Sequence, residues 1–189
     1  MRVIAGSLKG RRLKPPAWEG LRPTSDKLRG TLFNILASRI AGARVVDAYA
    51  GTGAMGIEAI SRGASAVTFI ERDARAQALI AENLAHCGIA TGYTIVRADV
   101  VRAFESLGQV GPFDIVLLDP PYALDDNEHV ENVEMKRALA AAGALLTADG
   151  LLILEHSRRT PPPDAVGPLV RSRDVVSGDS TLTFYEVKR

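Results

Sequence analysis

The chain has 189 residues, of which 47% are hydrophobic and 24% are charged, and its net charge is +1. These values are ordinary for a globular protein, and at ~150 residues per domain they predict one domain with a small extension. They exclude a disordered chain, a collagen-like repeat and a small disulfide-stabilised protein, and the single cysteine excludes an intrachain disulfide and a cysteine-rich zinc site.

The first 44 residues are strongly basic. They contain ten Lys or Arg against Glu19 and Asp26, a net charge of +8, whereas the remaining 145 residues carry −7. A positive segment suits a polyanion, because contacts with phosphates supply most of the non-specific affinity for nucleic acids. A solvated basic arm is the alternative interpretation, and charge alone does not separate the two.

Two small elements are predicted within this basic segment. Residues 3–5 can pair with 12–14 as a short hairpin. Apolar residues then recur at helical spacing over 25–40, where Thr24 or Ser25 can cap a helix. We assign residues 1–42 to an N-terminal extension made of this hairpin and helix.

From residue 43 onward, short β-branched runs alternate with helical stretches. Strands are predicted at 44–49, 65–70, 93–97, 113–118 and 151–155. Helices are predicted from the glycines at 51–56 to about 63, after Asp73 to 86, at 100–107 and at about 131–145. Two extended runs, at about 169–176 and 181–187, predict an antiparallel hairpin. The alternation predicts a doubly wound α/β domain with a mostly parallel sheet over residues 43–189.

Acidic residues lie at the ends of four successive predicted strands. They are Asp47, Glu71, Asp99 and Asp119. In parallel α/β sheets, ligands bind at the carboxyl ends of the strands. Packing does not explain four acidic residues in these positions, so the sequence predicts a ligand site there.

The motif Gly51-x-Gly53-x-x-Gly56 follows the first of these strands and opens a helix. Glycines let the backbone turn tightly and approach a ligand closely. Glu71, twenty residues after Gly51, ends the next strand, where a carboxylate can bind both ribose hydroxyls. The combination predicts a nucleotide site, and a role of the glycines in helix–strand packing alone is the alternative.

The position of Asp47 indicates which nucleotide the predicted site binds. It precedes Gly51 by four residues, whereas in dinucleotide enzymes the strand leads almost directly into the first glycine. A carboxylate at this position repels a pyrophosphate and suits the ammonium and sulfonium of S-adenosylmethionine. Asp99 suits the adenine amino group as an acceptor, and it can also cap the helix at 100–107.

The fourth strand runs into Asp119-Pro120-Pro121-Tyr122. Prolines lack N–H groups and cannot continue a strand ladder, so they leave the preceding carbonyl oxygens available. The Asp119 carboxylate and the Pro120 carbonyl can accept the two N–H groups of an aromatic amine, which aims its lone pair. Tyr122 can stack on the target base. A plain strand-terminating turn is the alternative, and the flanking Asp and Tyr favour the chemical interpretation.

The chain resembles the S-adenosylmethionine-dependent methyltransferases. More narrowly, it resembles the RsmD-type enzymes that methylate the N2 amino group of a guanine in bacterial 16S ribosomal RNA. The combination of Arg22-Pro23-Thr24 with Asp119-Pro120-Pro121-Tyr122 is specific to that family, and the resemblance extends over nearly the whole chain. Further matching segments are Arg2-Val3-Ile4-Ala5-Gly6, Gly10-Arg11, Leu32-Phe33-Asn34, Asp47-x-x-Ala50-Gly51-Thr52-Gly53-Ala54-x-Gly56-x-Glu58-Ala59, Ser61-Arg62-Gly63-Ala64, Asn83-Leu84 and Glu155.

The resemblance implies direct methyl transfer from S-adenosylmethionine, which leaves as S-adenosylhomocysteine, without a metal. It implies the strand order 3-2-1-4-5-7-6 with the last strand antiparallel. The implied catalytic residues are Asp119, Pro120, Pro121 and Tyr122. The implied cofactor-binding residues are Thr24, Asp47, Ala50, Gly51, Thr52, Gly53, Glu71, Arg72, Asp99 and Val100. The implied RNA-binding residues are Arg2, Lys9, Arg11, Arg12, Lys14, Arg22 and Lys27.

The chain departs from the family pattern at Lys27 and Gly30, where arginine and glutamate are usual. Glycine inside a helix costs ~1 kcal/mol relative to alanine, which disfavours the early helix without affecting the chemistry. Adenine-N6 methylation of DNA also uses Asp-Pro-Pro-Tyr, and a related Asn-Pro-Pro-Tyr suits glutamine side chains. The lack of a target-recognition domain argues against a DNA enzyme.

Two further classes of function are alternatives. Hydride transfer from a nicotinamide dinucleotide would use the glycine motif, but no acid or base arrangement supports it. A non-catalytic RNA-binding module would have no need of intact cofactor and catalytic motifs. His86, His129 and His156 are scattered without metal-ligand spacing, so no metal site is predicted.

No apolar run approaches the ~20 residues of a membrane span, and the N-terminal residues contain no apolar signal region. A cytoplasmic protein without a membrane partner is therefore expected, and we further expect a monomer. The expected partner is 16S ribosomal RNA, within an assembled or assembling small ribosomal subunit.

Overall fold

The computed structural model describes residues 1–18, 25–120 and 128–188, with the backbone alone for 128–132. Within these ranges the helices are α1 (Asp26–Ile35), α2 (Ala54–Ser61), α3 (Ala74–His86), α4 (Val100–Leu107) and α5 (Glu128–Gly143). The strands are β1 (Arg44–Ala48), β2 (Ala66–Ile70), β3 (Tyr93–Val96), β4 (Phe113–Leu118), β5 (Leu146–Ser157), β6 (Ala165–Val166), β7 (Leu169–Ser177) and β8 (Ser180–Val187).

The predicted fold class and strand order are confirmed. The described strands form one sheet in the order β3-β2-β1-β4-β5-β8-β7-β6. β2 pairs in parallel with β1 and β3, as β4 does with β5, whereas β8 is antiparallel to both β5 and β7. The observed β7 and β8 are the predicted sixth and seventh strands. The additional β6 is two residues long, too short for an alternating pattern to be visible in the sequence.

The chain divides into two compact units, Met1–Asp99 and Val100–Arg189. In the first unit, β1 and β2 carry fully buried apolar side chains, and α2 and α3 contribute more. In the second unit, β4, β5 and β8 supply the buried residues. The predicted boundary at residue 42 lies inside the first unit, and a domain division there stays a prediction.

Helix α3 has the bounds that the sequence predicted, because its end signals are local. Asp73 caps it by accepting the Arg75 N–H at 2.8 Å, and Gly88, with φ +76°, follows its end. The hydrogen bonds from Arg75 lower the pKa of the Asp73 carboxyl to about 2, so the cap is ionised at neutral pH. α4 and β4 also have their predicted bounds.

Helix α1 is shorter than predicted. The Ser25 hydroxyl caps its start, but the helix ends at Ile35 rather than at residue 40. Beyond it the chain tightens, and the Arg39 N–H donates to the carbonyl of Leu36 at 2.8 Å. Leu36 and Ile40 remain buried at 0% and 2% exposure. The apolar spacing therefore predicted the burial of Leu36 and Ile40 correctly, although both residues lie beyond the end of the helix.

An N-terminal hairpin is present, but the predicted pairing of residues 3–5 with 12–14 is wrong by three positions, because the Val3 N–H donates to the Arg11 carbonyl and the Val3 carbonyl accepts the Gly10 N–H. Arg2 forms an isolated antiparallel bridge with Arg12. Ile4 and Ala5 do not extend this pairing, because their N–H groups donate to the Glu58 carboxylate of α2 at 2.7 and 3.0 Å. A charged acceptor on another element thus replaces the predicted partners.

Candidate active site

Residues 49–53 follow β1 and form a loop that we call the glycine loop. Tyr49, Gly51 and Gly53 all have left-handed backbones, with φ of +61°, +55° and +77°. For tyrosine this conformation is strained, and such strain collects at ligand-binding sites. The sequence predicts Tyr49 as the last residue of the strand, because a tyrosine before a glycine run gives no signal of a left-handed backbone.

The last glycine of the motif serves packing. A Cβ on Gly56 would lie 2.2 Å from the ring of Phe69 on β2, so glycine allows α2 to pack this closely on the sheet. The alternative interpretation of the motif, helix–strand packing, is therefore correct for Gly56. Gly51 and Gly53, by contrast, shape the loop.

Glu71 directly follows β2 and holds two backbone segments. Its Oε2 accepts the Gly51 N–H at 2.9 Å, and its Oε1 accepts the Asp73 N–H at 2.9 Å. The half-buried carboxylate thus links the glycine loop to the start of α3. Each carboxylate oxygen has a second lone pair, so Glu71 can accept two further hydrogen bonds.

Asp47, on β1, is 2% exposed, and its Oδ2 accepts the Gly56 N–H at 2.7 Å. Gly56 lies in the first turn of α2, whose N-cap residue Gly53 makes no side-chain cap. Asp47 therefore supplies an acceptor and a negative charge where the helix terminus favours both. Its contact with a cationic ligand stays a prediction.

The predicted acidic site residues of the first unit, Asp47, Glu71 and Asp99, lie at or near the carboxyl ends of β1, β2 and β3. Asp47 is in register with Phe69 of the parallel strand β2, and Glu71 is two positions after Phe69, directly beyond the end of that strand. Asp99 is exposed and directly precedes α4. Among the remaining predicted cofactor residues, Ala50, Thr52 and Val100 are buried and Arg72 is exposed.

In the second unit, Asp119 directly follows β4. Leu118 pairs with Leu154 of the parallel β5, so Asp119 and Glu155 each come one residue after a paired position. Asp119 and Pro120 are half-buried, and Glu155 is 6% exposed. The remaining predicted site residues lie outside the described residues, so their roles stay predictions; they are Arg22, Thr24, Pro121 and Tyr122.

The basic residues of the N-terminal segment lie at the surface. All predicted RNA-binding residues that the structure describes are exposed, namely Arg2, Lys9, Arg11, Arg12, Lys14 and Lys27. Arg29 differs, because it is 0% exposed. It binds Asp26 at 2.9 Å and lies 3.9 Å from Glu58. The positive charge of Arg29 is therefore neutralised inside the first unit.

Glu58 anchors the N-terminal segment, a role that the sequence analysis missed. It is 0% exposed, accepts the two N–H groups of Ile4 and Ala5, and pairs with Arg62 at 2.7 Å. The spacing of Glu58 and Arg62 signals an ion pair on one helix. The separation of 54 positions between Ile4 and Glu58 leaves no sequence signal of the longer contact.

A polar network in the second unit surrounds His156 of β5. Its Nε2 lies 2.8 Å from the hydroxyl oxygen of Thr183, and that hydroxyl donates to Asp174 at 2.8 Å. Burial lowers the pKa of His156 below its ordinary value of 6.5. Hydrogen bonds from the Arg171 guanidinium lower the pKa of the Asp174 carboxyl.

Two features are absent from the described residues. Across 1–18, 25–120 and 128–188, no group of three or more His, Cys, Asp or Glu side chains is arranged to hold a metal ion. In the same part of the chain, no helix combines the length and the apolar character needed to cross a bilayer.

The chain is similar to known proteins over most of its length. The model of the family described as conserved hypothetical protein 95 matches residues 1–186. The chain is 42% identical to "Ribosomal RNA small subunit methyltransferase D" of Escherichia coli (strain K12) over 187 residues, which cover 98% of this chain and 89% of that protein. It is 34% identical to YlbH of Bacillus subtilis (strain 168), covering 98% of each protein.

Solved structures share the fold. The structure of yhhF from Escherichia coli superposes with a TM-score of 0.80 at 30% identity and covers 100% of this chain and 98% of that one. A hypothetical protein from Thermus thermophilus gives a TM-score of 0.80 at 30% identity, with 99% of each chain covered.

Proposed function

The chain belongs to the family described as conserved hypothetical protein 95, and on that premise we propose that it methylates ribosomal RNA with S-adenosylmethionine as the methyl donor. More narrowly, we propose the exocyclic N2 amino group of a guanine in 16S ribosomal RNA as the target. The observation that carries the proposal is the 42% identity, over 98% of this chain, to the Escherichia coli small subunit methyltransferase D. The family resemblance inferred from the sequence motifs is confirmed.

The residues of the first unit fit this cofactor. The Glu71 carboxylate is already oriented by the N–H groups of Gly51 and Asp73, and its remaining lone pairs suit two ribose hydroxyls. The buried charge of Asp47 suits the cationic end of the cofactor, and Asp99 suits the adenine amino group. When bound, S-adenosylmethionine supplies a methyl group that the positive sulfonium has already activated.

The residues at the end of β4 suit the target amine. The amino group of a guanine is a poor nucleophile, because its lone pair is delocalised into the ring. We assign to the Asp119 carboxylate and the Pro120 carbonyl the role of accepting its two N–H groups, which directs the lone pair. The Asp119 charge also stabilises the positive charge that develops on the nitrogen. Stacking of the base on Tyr122 holds the ring in place.

The exposed basic residues of the N-terminal segment support the choice of RNA. Arg2, Arg11 and Arg12 lie on the paired part of the hairpin, which the Glu58 carboxylate of α2 holds through the adjoining N–H groups. A folded anchor gives these cations fixed positions, unlike a solvated tail. We assign to them contacts with RNA phosphates. We also propose that the RNA is methylated within the small ribosomal subunit and that the enzyme is a monomer.

Methyl transfer onto small subunits from cells that lack the enzyme tests the proposal directly. We expect label from S-adenosylmethionine to enter the 16S RNA at the N2 position of one guanine, identified by mapping of the modified base. Label on adenine N6 would overturn the guanine assignment. Label on ribosomal protein, or no label in any fraction, would overturn RNA as the substrate.

A thermal-shift comparison tests the cofactor independently. Ligands of the folded state raise its apparent stability. We therefore expect S-adenosylmethionine and S-adenosylhomocysteine to raise the melting temperature, and NADH to leave it unchanged. Stabilisation by NADH alone would favour hydride transfer instead.

A further inference from the structure

One side chain joins the N-terminal arm, residues 1–14, to the glycine loop. Asn83 on α3 is 0% exposed. Its Oδ1 accepts the Lys14 N–H at 2.7 Å, while its Nδ2 donates to the carbonyls of Thr52 at 3.0 Å and Lys14 at 3.3 Å. A segment with predicted RNA contacts and a loop with predicted cofactor contacts therefore share one hydrogen-bonding group.

The chemistry of these three bonds selects an amide. The Lys14 N–H can only donate, and the two carbonyl oxygens can only accept, so the orientation of the Asn83 amide is determined. A carboxylate would face both carbonyls without a proton to donate. An apolar side chain would leave buried backbone groups without these partners, which is costly.

A second contact connects the same two segments. The Thr52 hydroxyl donates to the Met1 Sδ at 3.7 Å, and the Leu13 N–H donates to the Met1 carbonyl at 3.2 Å. The side chains of Arg12 and Lys14, which flank Leu13, are exposed. Thr52 is thus in contact with the arm both directly and through Asn83.

We propose that Asn83 is a positioning residue that couples binding of the cofactor at the glycine loop to the position of the RNA-binding arm. This inference rests on the proposed function. A ligand that orders Thr52 restricts the Asn83 amide, and the amide in turn restricts Lys14. Because binding couplings are reciprocal, RNA on the arm would raise the affinity of the loop for the cofactor by the same factor.

Hydrogen exchange of the unmodified protein tests the coupling. With S-adenosylhomocysteine as the probe, we expect the Leu13 and Lys14 amides to exchange at least ~5-fold more slowly than without it. Calorimetry on the same sample measures whether the probe binds. Bound probe with unchanged exchange in the arm would overturn the coupling alone. Absence of binding would overturn the proposed function, and the coupling with it.

Two variants on α3 separate coupling from a merely structural role. Asn83→Asp keeps an acceptor for the Lys14 N–H and removes both donations, so we expect the exchange response to vanish and probe affinity to fall ~10-fold. The neighbouring Glu82 pairs with the Lys14 side chain and is half-exposed. Glu82→Gln should therefore preserve both the response and the affinity.

A full exchange response in folded Asn83→Asp, or its equal loss in Glu82→Gln, would overturn the assignment to Asn83. If Asn83→Asp does not fold, the exchange response of the unmodified protein still decides whether arm and loop are coupled.

Discussion

Three carboxylates in the first unit and two in the second contact the rest of the protein in different ways. In residues 1–99, Asp47, Glu58 and Glu71 accept hydrogen bonds from backbone N–H groups of other segments. In residues 100–189, Asp164 and Asp174 pair with the Arg171 side chain, at side-chain exposures of 91% and 30%.

The first set of carboxylates constrains the backbone, whereas the second set contributes charge at the surface. A carboxylate that accepts backbone N–H groups constrains the path of the backbone. In the first unit, Glu71 constrains the glycine loop in this way and Glu58 constrains the arm. An exposed carboxylate paired with a guanidinium does not determine the path of the backbone, which the pairing of the strands determines instead. Such exposed ion pairs contribute little stability. For Asp119, at the end of β4, the proposed partner is the substrate.

The largest expected effect is at Glu58. Glu58→Ala removes the acceptor of two N–H groups and leaves the fully buried Arg29 with less negative charge nearby, so we expect a loss of ~3–5 kcal/mol in the free energy of unfolding. Urea denaturation measures it. Asp164→Ala is the matched control, with an expected loss below ~1 kcal/mol. Equal losses in the two variants would contradict the contrast between the units.

The next effect is on turnover. Asp119→Ala should lower the rate of methyl transfer about 10²–10³-fold while cofactor and RNA affinities change little, because the interaction strengthens in the transition state. Asp119→Asn keeps an acceptor oxygen but removes the charge, so its rate of methyl transfer should lie between those of the unmodified protein and Asp119→Ala. A near wild-type rate for Asp119→Ala, measured in single turnovers, would refute the amine-orienting mechanism.

A companion test at Tyr122 examines stacking of the base. Tyr122→Phe should be mild, because stacking needs the ring and not the hydroxyl. Tyr122→Ala should be severe, since stacking of a base on an aromatic ring contributes ~1–3 kcal/mol. Equal rates for the two variants would remove stacking from the mechanism.

The next largest effect is expected on the affinity for the cofactor, on substitution of Glu71. Glu71→Ala should weaken binding of S-adenosylmethionine by ~1.5–3 kcal/mol, one to two decades, because it removes the proposed ribose acceptor and releases the Gly51 N–H. Glu71→Gln retains one acceptor oxygen and should be intermediate. Calorimetry that shows unchanged affinity for both variants would exclude Glu71 from the site.

The salt dependence of RNA binding should change by a smaller amount. Charge reversal at Arg11 and Arg12 should reduce the slope of log affinity against log salt by ~1.4, the loss of two single-strand phosphate contacts. Reversal at Arg158 and Arg159, an exposed pair in the second unit, is the control and should leave the slope unchanged. Coincident slopes for all three proteins would make the arm a solubility feature.

The smallest effect is a pH dependence in the second unit. Burial lowers the pKa of His156, so the unfolded chain binds the proton more readily. Stability should therefore be constant above pH ~7 and decline as the pH falls through about 6.5, the value in the unfolded chain. Urea midpoints at several pH values measure this. His156→Gln should abolish the decline between pH ~7 and ~5.5, and its persistence would assign it to another group.

Much of the fold follows from local sequence. α3, α4 and β4 have their predicted bounds, because apolar spacing and an N-cap such as Asp73 act within a few residues. α1 differs at its end, where Leu36 begins a tighter turn that keeps the predicted apolar residues buried. The strand order was inferred from the family resemblance and not from periodicity.

By itself, the sequence determined the fold class and the family, because these follow from residue types at recurring spacings along the chain, and it predicted the acidic residues and glycines of the candidate site. Only the tertiary structure decided that Glu58 holds Ile4 and Ala5, that Arg29 is buried, and that Asn83 joins Lys14 to Thr52. Those contacts join residues up to 69 positions apart, with roles set by what the fold packs against them. A buried glutamate or arginine cannot be distinguished from an exposed one by its residue type. The surroundings that the fold provides decide whether the charge holds two segments together or lies at the surface.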